Sequence, residues 1–327
     1  MKTEWLSGVA ILLVAAILPT AASAQMDTIK LGDLPAISNA AIYIAVEKGF
    51  FKEQSIRNDI STFASAAKMV PALVAGELEV SVGAASAGLF NAIAQGAPFR
   101  IVADKGQARP GTGFSLLTVR KDLVESGQVK SVKDLKGKKV AILAKGIIQD
   151  YLLGKMAEEV GLTIKDFEIT NLDAPSQVTA YETKAIDAAY AVEPWPARFE
   201  ERKLAVRFRS PDQVKGLGPV QVAVIIYSGK FIKERRPVAQ RWMNAYLKGA
   251  EFFNTKGIKD PEILSILEKY TKVPAAALKA STPHYQEKNG RVIAESLADQ
   301  IDWFVRNGYM KEKVSIENAI DLSFIRQ

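Results

Sequence analysis

Residues 28–49 decide the fold, and they read TIKLGDLPAISNAAIYIAVEKG. The apolar-rich start, 28–32, has the length and composition of a short strand. Residues 39–48 then repeat apolar side chains at helical spacing, and Gly49 follows at a position where helices are commonly capped. The stretch therefore predicts a strand, a loop and a helix, which together form the repeating unit of an α/β fold.

The same unit repeats further along the chain. The pattern predicts strands at 56–63, 80–83 and 100–103 and helices at 68–75 and 87–95. Because a proline fits only the first turn of a helix, Pro71 implies that its helix begins late or is kinked. Proline and glycine then interrupt the pattern at 107–113, which suits a crossing between two lobes.

The alternation resumes after this break and ends in a helical tail. Strands are predicted at 114–119, 139–143, 167–171, 187–192 and 221–227, and helices at 147–160, 177–184, 237–254, 261–270, 274–281 and 290–307. This order predicts an α/β protein of two parallel-sheet lobes, joined by hinge crossings near 107–114 and 227–231. We expect lobe one to start with 27–109, lobe two to span 110–230, and the helices of 231–327 to return and pack on lobe one.

The first 24 residues have the features of a secretory signal peptide. Lys2 precedes an apolar run at 9–18, Pro19 breaks that run, and small residues lead to a cleavage site after Ala24. The alternative is a membrane anchor, but the run is about half of the ~20 residues that span a bilayer. We therefore expect an exported, periplasmic protein, and the lack of cysteine excludes a lipid-anchored lipoprotein.

Composition argues against several classes of function. The chain has 327 residues, 48% of them hydrophobic and 24% charged, which is enough for two lobes with their own cores. Its net charge of +7 is spread among interleaved acidic and basic residues, so no nucleic-acid partner is expected. With no cysteine and one histidine, His284, the chain is expected to hold no metal or cofactor and to be no enzyme. Catalysis by Glu193 with a second carboxylate stays open.

Several stretches resemble one family of transport proteins. They read GDLPAISNAAIYIAVEKGFF (32–51), ALVAGELEVSVG (72–83), GAPFRIVA (96–103) and DLKGKKVAI (134–142), followed by Glu193-Pro194-Trp195. In this order they resemble the nitrate, taurine and alkanesulfonate branch of the periplasmic solute-binding proteins of ABC importers. The resemblance covers residues 27 to about 255.

This resemblance implies a type II periplasmic binding fold with a ligand cleft between the lobes. It also implies a monomer that closes around a small molecule and delivers it to an inner-membrane permease and its ATPase. Because the branch includes binders of sulfonates, aromatic acids and pyrimidine precursors of thiamine, the ligand stays open. The alternatives are a binding protein that serves a membrane sensor, and a pyrimidine-biosynthesis-like enzyme of the same fold.

The ligand site is expected at the carboxyl ends of the strands, where helix N-termini present free N–H groups. Five loops meet this condition, at 35–39, 63–67, 84–86, 144–149 and 192–195. The loops and the hinge supply the candidate ligand-binding residues Ser38, Asn39, Phe63, Ser65, Ser86, Arg109, Gly146, Gln149, Glu193 and Trp195.

Each candidate also has a purely structural interpretation. The serines and Asn39 lie at helix starts, where N-capping alone would explain them. The two aromatic residues, Phe63 and Trp195, are either flat walls of the cleft or core side chains. Glu193 would favour an amino-bearing ring over an anion, whereas Arg109 beside the hinge, Lys68 and Lys145 are the candidate cations for an oxyanion.

Overall fold

The structure is a computed structural model that describes residues 25–325. The predicted signal peptide, 1–24, and its cleavage site after Ala24 lie outside the described residues. No helix among the described residues is long and apolar enough to cross a membrane.

Ten strands form two sheets. They are β1 (Asp27–Asp33), β2 (Ile56–Thr62), β3 (Val80–Ala84), β4 (Arg100–Ala108), β5 (Ser115–Arg120), β6 (Lys139–Ile142), β7 (Glu168–Asn171), β8 (Ala188–Val192), β9 (Ala205–Arg209) and β10 (Val220–Tyr227). The first sheet has the order β2-β1-β3-β10-β4, and the second has the order β7-β6-β8-β5-β9.

Fourteen α-helices among the described residues surround the sheets. They are α1 (Ala40–Glu47), α2 (Phe50–Glu53), α3 (Val70–Val74), α4 (Ala87–Ala94), α5 (Lys121–Glu125), α6 (Ile148–Glu159), α7 (Ala174–Glu182), α8 (Trp195–Glu201), α9 (Gly229–Glu234), α10 (Arg236–Lys256), α11 (Pro261–Thr271), α12 (Ala275–Ala280), α13 (Ala294–Arg306) and α14 (Ile316–Ala319). Pro71 lies in the first turn of α3, as its chemistry requires.

The α/β fold of two lobes is confirmed, but the sheets are mixed rather than parallel. In the first sheet β1 runs parallel to β2 and β3, while β10 runs antiparallel to β3 and β4. In the second sheet β6 runs parallel to β7 and β8, while β5 runs antiparallel to β8 and β9. The antiparallel strands are those at which the chain enters a sheet from the other lobe.

The strand at 220–227 was assigned to the wrong sheet by the sequence analysis. Every residue of β10 is buried, and the strand lies between β3 and β4 in the middle of the first sheet. The chain therefore leaves the second sheet after Arg209 and has re-entered the first by Val220, so the return crossing lies before β10 instead of near 227–231. A strand buried on both faces carries no pattern that identifies its neighbours.

The helical return packs mainly on lobe one and also touches lobe two. Helices α10 and α11 lie against α1, whereas α12 contacts α8 and α13 contacts both α6 and β10. Gly249 allows the close approach of α10 to α1, because a Cβ there would lie 2.1 Å from the carbonyl oxygen of Ala41. One large apolar core runs through both lobes, and a smaller cluster lies beside the second sheet.

Candidate functional site

A cavity of about 470 Å³ lies between the two lobes at the ends of their strands. Its walls come from the segments after β1, β2, β6, β7 and β8 and from the end of α11, with the lining residues Leu34, Pro35, Ala36, Thr62, Phe63, Ala64, Leu143, Asp173, Ala174, Pro175, Gln177, Ala191, Val192, Trp195, Thr271 and Lys272. We call this cavity the outer cleft. Its volume lies within the range of about 300–1,000 Å³ that small-molecule sites occupy.

A smaller cavity of about 40 Å³ lies behind the outer cleft. The two share the lining residues Leu34, Ala36, Leu143 and Val192. We call the smaller cavity the inner recess, and its polar lining residues are Ser38, Ser65, Lys105 and Gln149. All five predicted loops contribute lining residues to one cavity or the other.

Phe63 and Trp195 both line the outer cleft. Phe63 directly follows β2 and is held by a backbone hydrogen bond to the carbonyl oxygen of Asp33, at 2.8 Å. Trp195 begins α8 and packs partly against the smaller apolar cluster. Both side chains are only partly buried, so each can present a flat apolar face to a ligand.

The hydroxyl of Ser65 is buried at the wall of the inner recess and makes no hydrogen bond. The residue is 1% exposed, and within the described part of the chain its Oγ has no partner. Gln149 has both ends of its amide engaged, since its Oε1 accepts from Leu143 N at 2.7 Å and its Nε2 donates to Tyr190 O at 2.7 Å. The glutamine therefore fixes the loop after β6.

Asn39 lies behind the inner recess and supports a buried polar network. Its Nδ2 donates to Asp33 and to Leu34 O, and its Oδ1 accepts a hydrogen bond from Lys105 Nζ. The second carboxylate oxygen of Asp33 accepts from Tyr43 OH at 2.7 Å. Asn39 thus touches the recess through Lys105 and lines neither cavity itself.

Ser86 and Gly146 are brought together, but in a contact between lobes. Ala87 N donates to Gly146 O at 2.8 Å, and Ser86 forms an antiparallel bridge with Ile147. Ser86 also caps α4, since its Oγ accepts from Leu89 N at 3.1 Å. Neither Ser86 nor Gly146 lines a cavity, so both act in joining α4 to the start of α6.

Glu193 is completely buried beneath the loop after β8 and does not line a cavity. Its Oε1 accepts from Arg207 Nη2 at 2.6 Å and from Thr282 N at 3.1 Å, and its Oε2 accepts from Ala197 N at 3.2 Å. Burial raises the pKa of this carboxyl group, while Arg207 opposes the rise. The side chain ties α8 to β9 and to the segment after α12.

Arg109 lies outside both cavities. Its Nε donates to Gln107 Oε1 at 2.9 Å, and its guanidinium stacks over Tyr285 at 3.9 Å from the ring centroid. The arginine therefore braces the end of β4. Of the other candidate cations, neither Lys68 nor Lys145 lines a cavity, and Lys145 lies 5.8 Å from the ring centroid of Tyr309.

Lys105 is a charged residue of the inner recess that the sequence pattern did not indicate. It lies on β4 two residues after the predicted end of that strand, and it is 1% exposed. Burial lowers the pKa of Lys105 to about 8, against the opposing influence of Asp33 and Asp104. Burial also raises the pKa of Asp33. If the strand predicted at 100–103 is extended to Ala108, where β4 ends, Lys105 lies within the sheet.

His284 is buried among aromatic side chains. Burial lowers the pKa of His284 to about 3, and the ring packs against Phe114 and Phe253. Across residues 25–325, no group of three or more His, Cys, Asp or Glu side chains is arranged to hold a metal ion.

Curated relatives align with this chain over about half to most of its length. A protein of Haemophilus influenzae named "Putative thiamine biosynthesis protein" is 31% identical over 153 residues, which is 46% of this chain and 46% of that protein. The match thus spans about half the length of that relative. A Brucella abortus "Putative binding protein" is 26% identical over 278 residues, covering 84% of this chain and 79% of its own.

Solved structures share the fold at low sequence identity. The alkanesulfonate-binding protein SsuA of Xanthomonas axonopodis pv. citri, bound to MOPS, has a TM-score of 0.74 at 18% identity, over 91% of this chain and 99% of its own. The periplasmic nitrate-binding protein NrtA of Synechocystis PCC 6803 has a TM-score of 0.76 at 14% identity, over 92% of this chain and 87% of its own. The desulfurization enzyme DSZB has a TM-score of 0.63 at 14% identity, over 91% of this chain and 97% of its own.

These structural similarities show that the chain has the fold of periplasmic binding proteins. The desulfurization enzyme DSZB has a similar fold. The family model described as NMT1/THI5 like matches residues 37–259, a range that begins within the loop after β1 and includes the cavity loops after β2, β6, β7 and β8. The match extends over more than half of the chain and agrees with the resemblance found in the sequence. The chain therefore belongs to the NMT1/THI5-like family.

Proposed function

We propose that this protein is the solute-binding component of an ABC importer. It captures a small organic solute in the outer cleft and delivers it to the permease and ATPase of the inner membrane. The observation that carries the proposal is the cavity of about 470 Å³, which is walled by loops from both sheets. The exported, periplasmic location, the monomeric state and the absence of enzymatic activity are part of this proposal.

Ligand capture by hinge closure follows from the way the cleft is built. Loops of the first sheet supply Phe63 and Ser65, and loops of the second supply Trp195 and Leu143. A ligand that contacts both sets binds the closed form better than an open form, so it shifts the population toward closure. The permease then recognises the closed shape.

Binding is tested by thermal unfolding of the mature protein after any bound ligand has been removed. The panel spans sulfonates, aromatic carboxylates and aminopyrimidines. A specific ligand at 100 times its dissociation constant adds about 2.7 kcal/mol to the free energy of unfolding and raises the melting temperature by some degrees. If no member of any class raises it, the proposal loses its main support.

Transport and sensing are separated in cells. Deletion of the gene is expected to abolish uptake of the ligand that the panel identifies, and a wild-type copy is expected to restore it. Unchanged uptake, together with loss of a ligand-dependent cellular response, would instead assign the protein to a membrane sensor.

A further inference from the structure

A buried positive charge borders the inner recess. Lys105 lies on β4 with 1% of its surface exposed, and it lines the recess together with Ser38 and Ser65. The carboxylate of its neighbour Asp104 is engaged by other groups, since Gln221 and Gln286 donate hydrogen bonds to it.

This ammonium group is incompletely satisfied by the protein. A lysine can donate three hydrogen bonds, and the contact described for Lys105 Nζ is with the neutral Asn39 Oδ1. Within residues 25–325, no carboxylate oxygen lies within 4.0 Å of Lys105 Nζ. Asp33 interacts with the ammonium group electrostatically over a longer distance, and Asn39 lies between the two side chains. A buried charge without a paired counter-charge is costly, so the recess favours an incoming anion.

Ser65 provides a second, independent observation at the same place. Its hydroxyl is buried at the wall of the recess and has no partner among the described residues. Leaving such a group unpaired costs stability, whereas a ligand oxygen in the recess would accept its hydrogen bond. The recess volume of about 40 Å³ leaves room for a small group of atoms and not for a ring.

We propose that the inner recess receives the anionic head group of the ligand, with Lys105 as its counter-cation and Ser65 as a hydroxyl donor. The apolar body of the ligand lies in the outer cleft between Phe63 and Trp195. The ligand class is therefore a small organic acid that has one oxyanion head, a carboxylate or a sulfonate, and a compact apolar body. This inference rests on the proposed function and adds the charge and orientation of the ligand.

The shape of the two cavities and the charge of the recess support this orientation. The outer cleft and the recess meet at Leu34, Ala36, Leu143 and Val192, so an apolar collar separates the polar end from the body. An ammonium head group would be repelled by Lys105. The carboxylate of Glu193, which would attract an amino-bearing ring, is engaged by Arg207 outside both cavities.

The test uses matched pairs of probes on the full mature protein. Aromatic and alicyclic carboxylates and sulfonates are each compared with their neutral amides, and aminopyrimidines are included. Melting temperatures and calorimetric dissociation constants are measured for the wild type and for Lys105→Met, Ser65→Ala and Lys145→Met. Lys145 is exposed and lines neither cavity, so its variant controls for a general loss of positive charge.

The expected result is binding of the anions and not of their amides, in the wild type and in Lys145→Met. Lys105→Met is expected to weaken anion binding about 10- to 100-fold, and Ser65→Ala about 2- to 10-fold. If Lys105→Met does not fold, Ser65→Ala decides, because the hydroxyl it removes has no hydrogen bond for folding to lose.

Other outcomes contradict the inference in distinguishable ways. Hits restricted to amides or aminopyrimidines would overturn the anionic head group and leave the solute-binding function standing. Anion affinity that is unchanged in both Lys105→Met and Ser65→Ala would remove the recess from the site. A panel without any hit would count against the proposed function itself.

Discussion

At the scale of single residues, a chain of hydrogen bonds connects the inner recess to the core of lobe one. Lys105 donates to Asn39, Asn39 donates to Asp33, and Tyr43 donates to the other oxygen of Asp33. Tyr43 in turn stacks on Tyr270, with ring centroids 4.1 Å apart. The position of the buried ammonium group is thus fixed before a ligand arrives, which lowers the ordering cost of binding.

The affinity for an anionic ligand is expected to fall at alkaline pH. Burial lowers the pKa of Lys105 to about 8, so the free protein loses this charge as the pH rises through that value. Affinity should then drop by up to about tenfold per pH unit. Among the other groups near Lys105, burial raises the pKa of Asp33 and of Tyr43 and lowers that of His284 to about 3. Burial also raises the pKa of Asp104 to about 7, so ionisation of Asp104 adds negative charge in the same pH range, and a variant with a permanent charge at position 105 separates the two effects.

Calorimetric titration between about pH 6 and pH 10 measures this dependence. Lys105→Arg is the control, because arginine keeps its charge throughout this range. A wild-type affinity that stays constant up to pH 10, or a fall that persists in Lys105→Arg, would assign the pH dependence to another group.

Replacing Trp195 by alanine is expected to weaken binding about 5- to 100-fold while the protein stays folded. The indole lines the outer cleft and is partly exposed, so its loss removes contact with the ligand more than contact with the core. Trp303→Ala is the contrast, since that fully buried indole should cost about 3–5 kcal/mol of stability. Unchanged affinity in Trp195→Ala would exclude Trp195 from the site.

The sequence identified the cavity loops better than the roles of individual side chains. Phe63, Ser65 and Trp195 were singled out because they follow strand ends, which is a local property. The ion pair between Glu193 and Arg207 depends on the pairing of β9 at the edge of the second sheet, which the sequence pattern did not predict. Lys105 was missed because a charged residue after an apolar run normally marks the end of a buried strand.

At the scale of elements, the approach of α10 to α1 holds the helical return on lobe one. The two helices pack closely at Gly249, whose absent side chain leaves room for the backbone of Ala41. The loop that follows β1, and with it Ser38 and Asn39, leads directly into α1. The packing of α10 therefore supports one wall of the recess from behind.

Gly249→Ala is expected to lower the free energy of unfolding by about 1–3 kcal/mol. The new Cβ would lie 2.1 Å from the carbonyl oxygen of Ala41, so the two helix backbones must move apart. Gly88→Ala in α4 is the matched control, because its Cβ has a nearest neighbour at 3.8 Å and alanine favours a helix by up to about 1 kcal/mol. Urea unfolding measures both; equal stability of the two variants would contradict the packing described.

Most elements were predictable because helix and strand patterns are local. The helix predicted at 87–95 is α4, and that at 237–254 is α10. The sheet to which β10 belongs was not predictable, because its pairing with β3 and β4 joins residues more than a hundred positions apart. Long-range pairing leaves no periodic trace in a strand that is buried on both faces.

At the scale of the whole molecule, the two lobes touch around the cleft as well as at the hinge. Ala87 N donates to Gly146 O, Ile37 N donates to Glu193 O at 3.4 Å, and Tyr309 OH donates to Asp150 at 2.9 Å. These contacts join loops that would separate if the lobes opened. The structure therefore has the arrangement expected of a closed binding protein.

Capture of a solute between the lobes is tested most directly by hydrogen–deuterium exchange of the mature protein, with and without the ligand that raises its melting temperature most. We expect the ligand to slow exchange in the loops at 62–66, 143–149 and 192–196, which come from both sheets. The charged surface pocket formed by Lys30, Glu79 and residues of 228–235 serves as the internal reference, because it shares no lining residue with either cavity. Protection confined to that pocket, or to the loops of one lobe alone, would contradict capture of a solute in the cleft between the lobes.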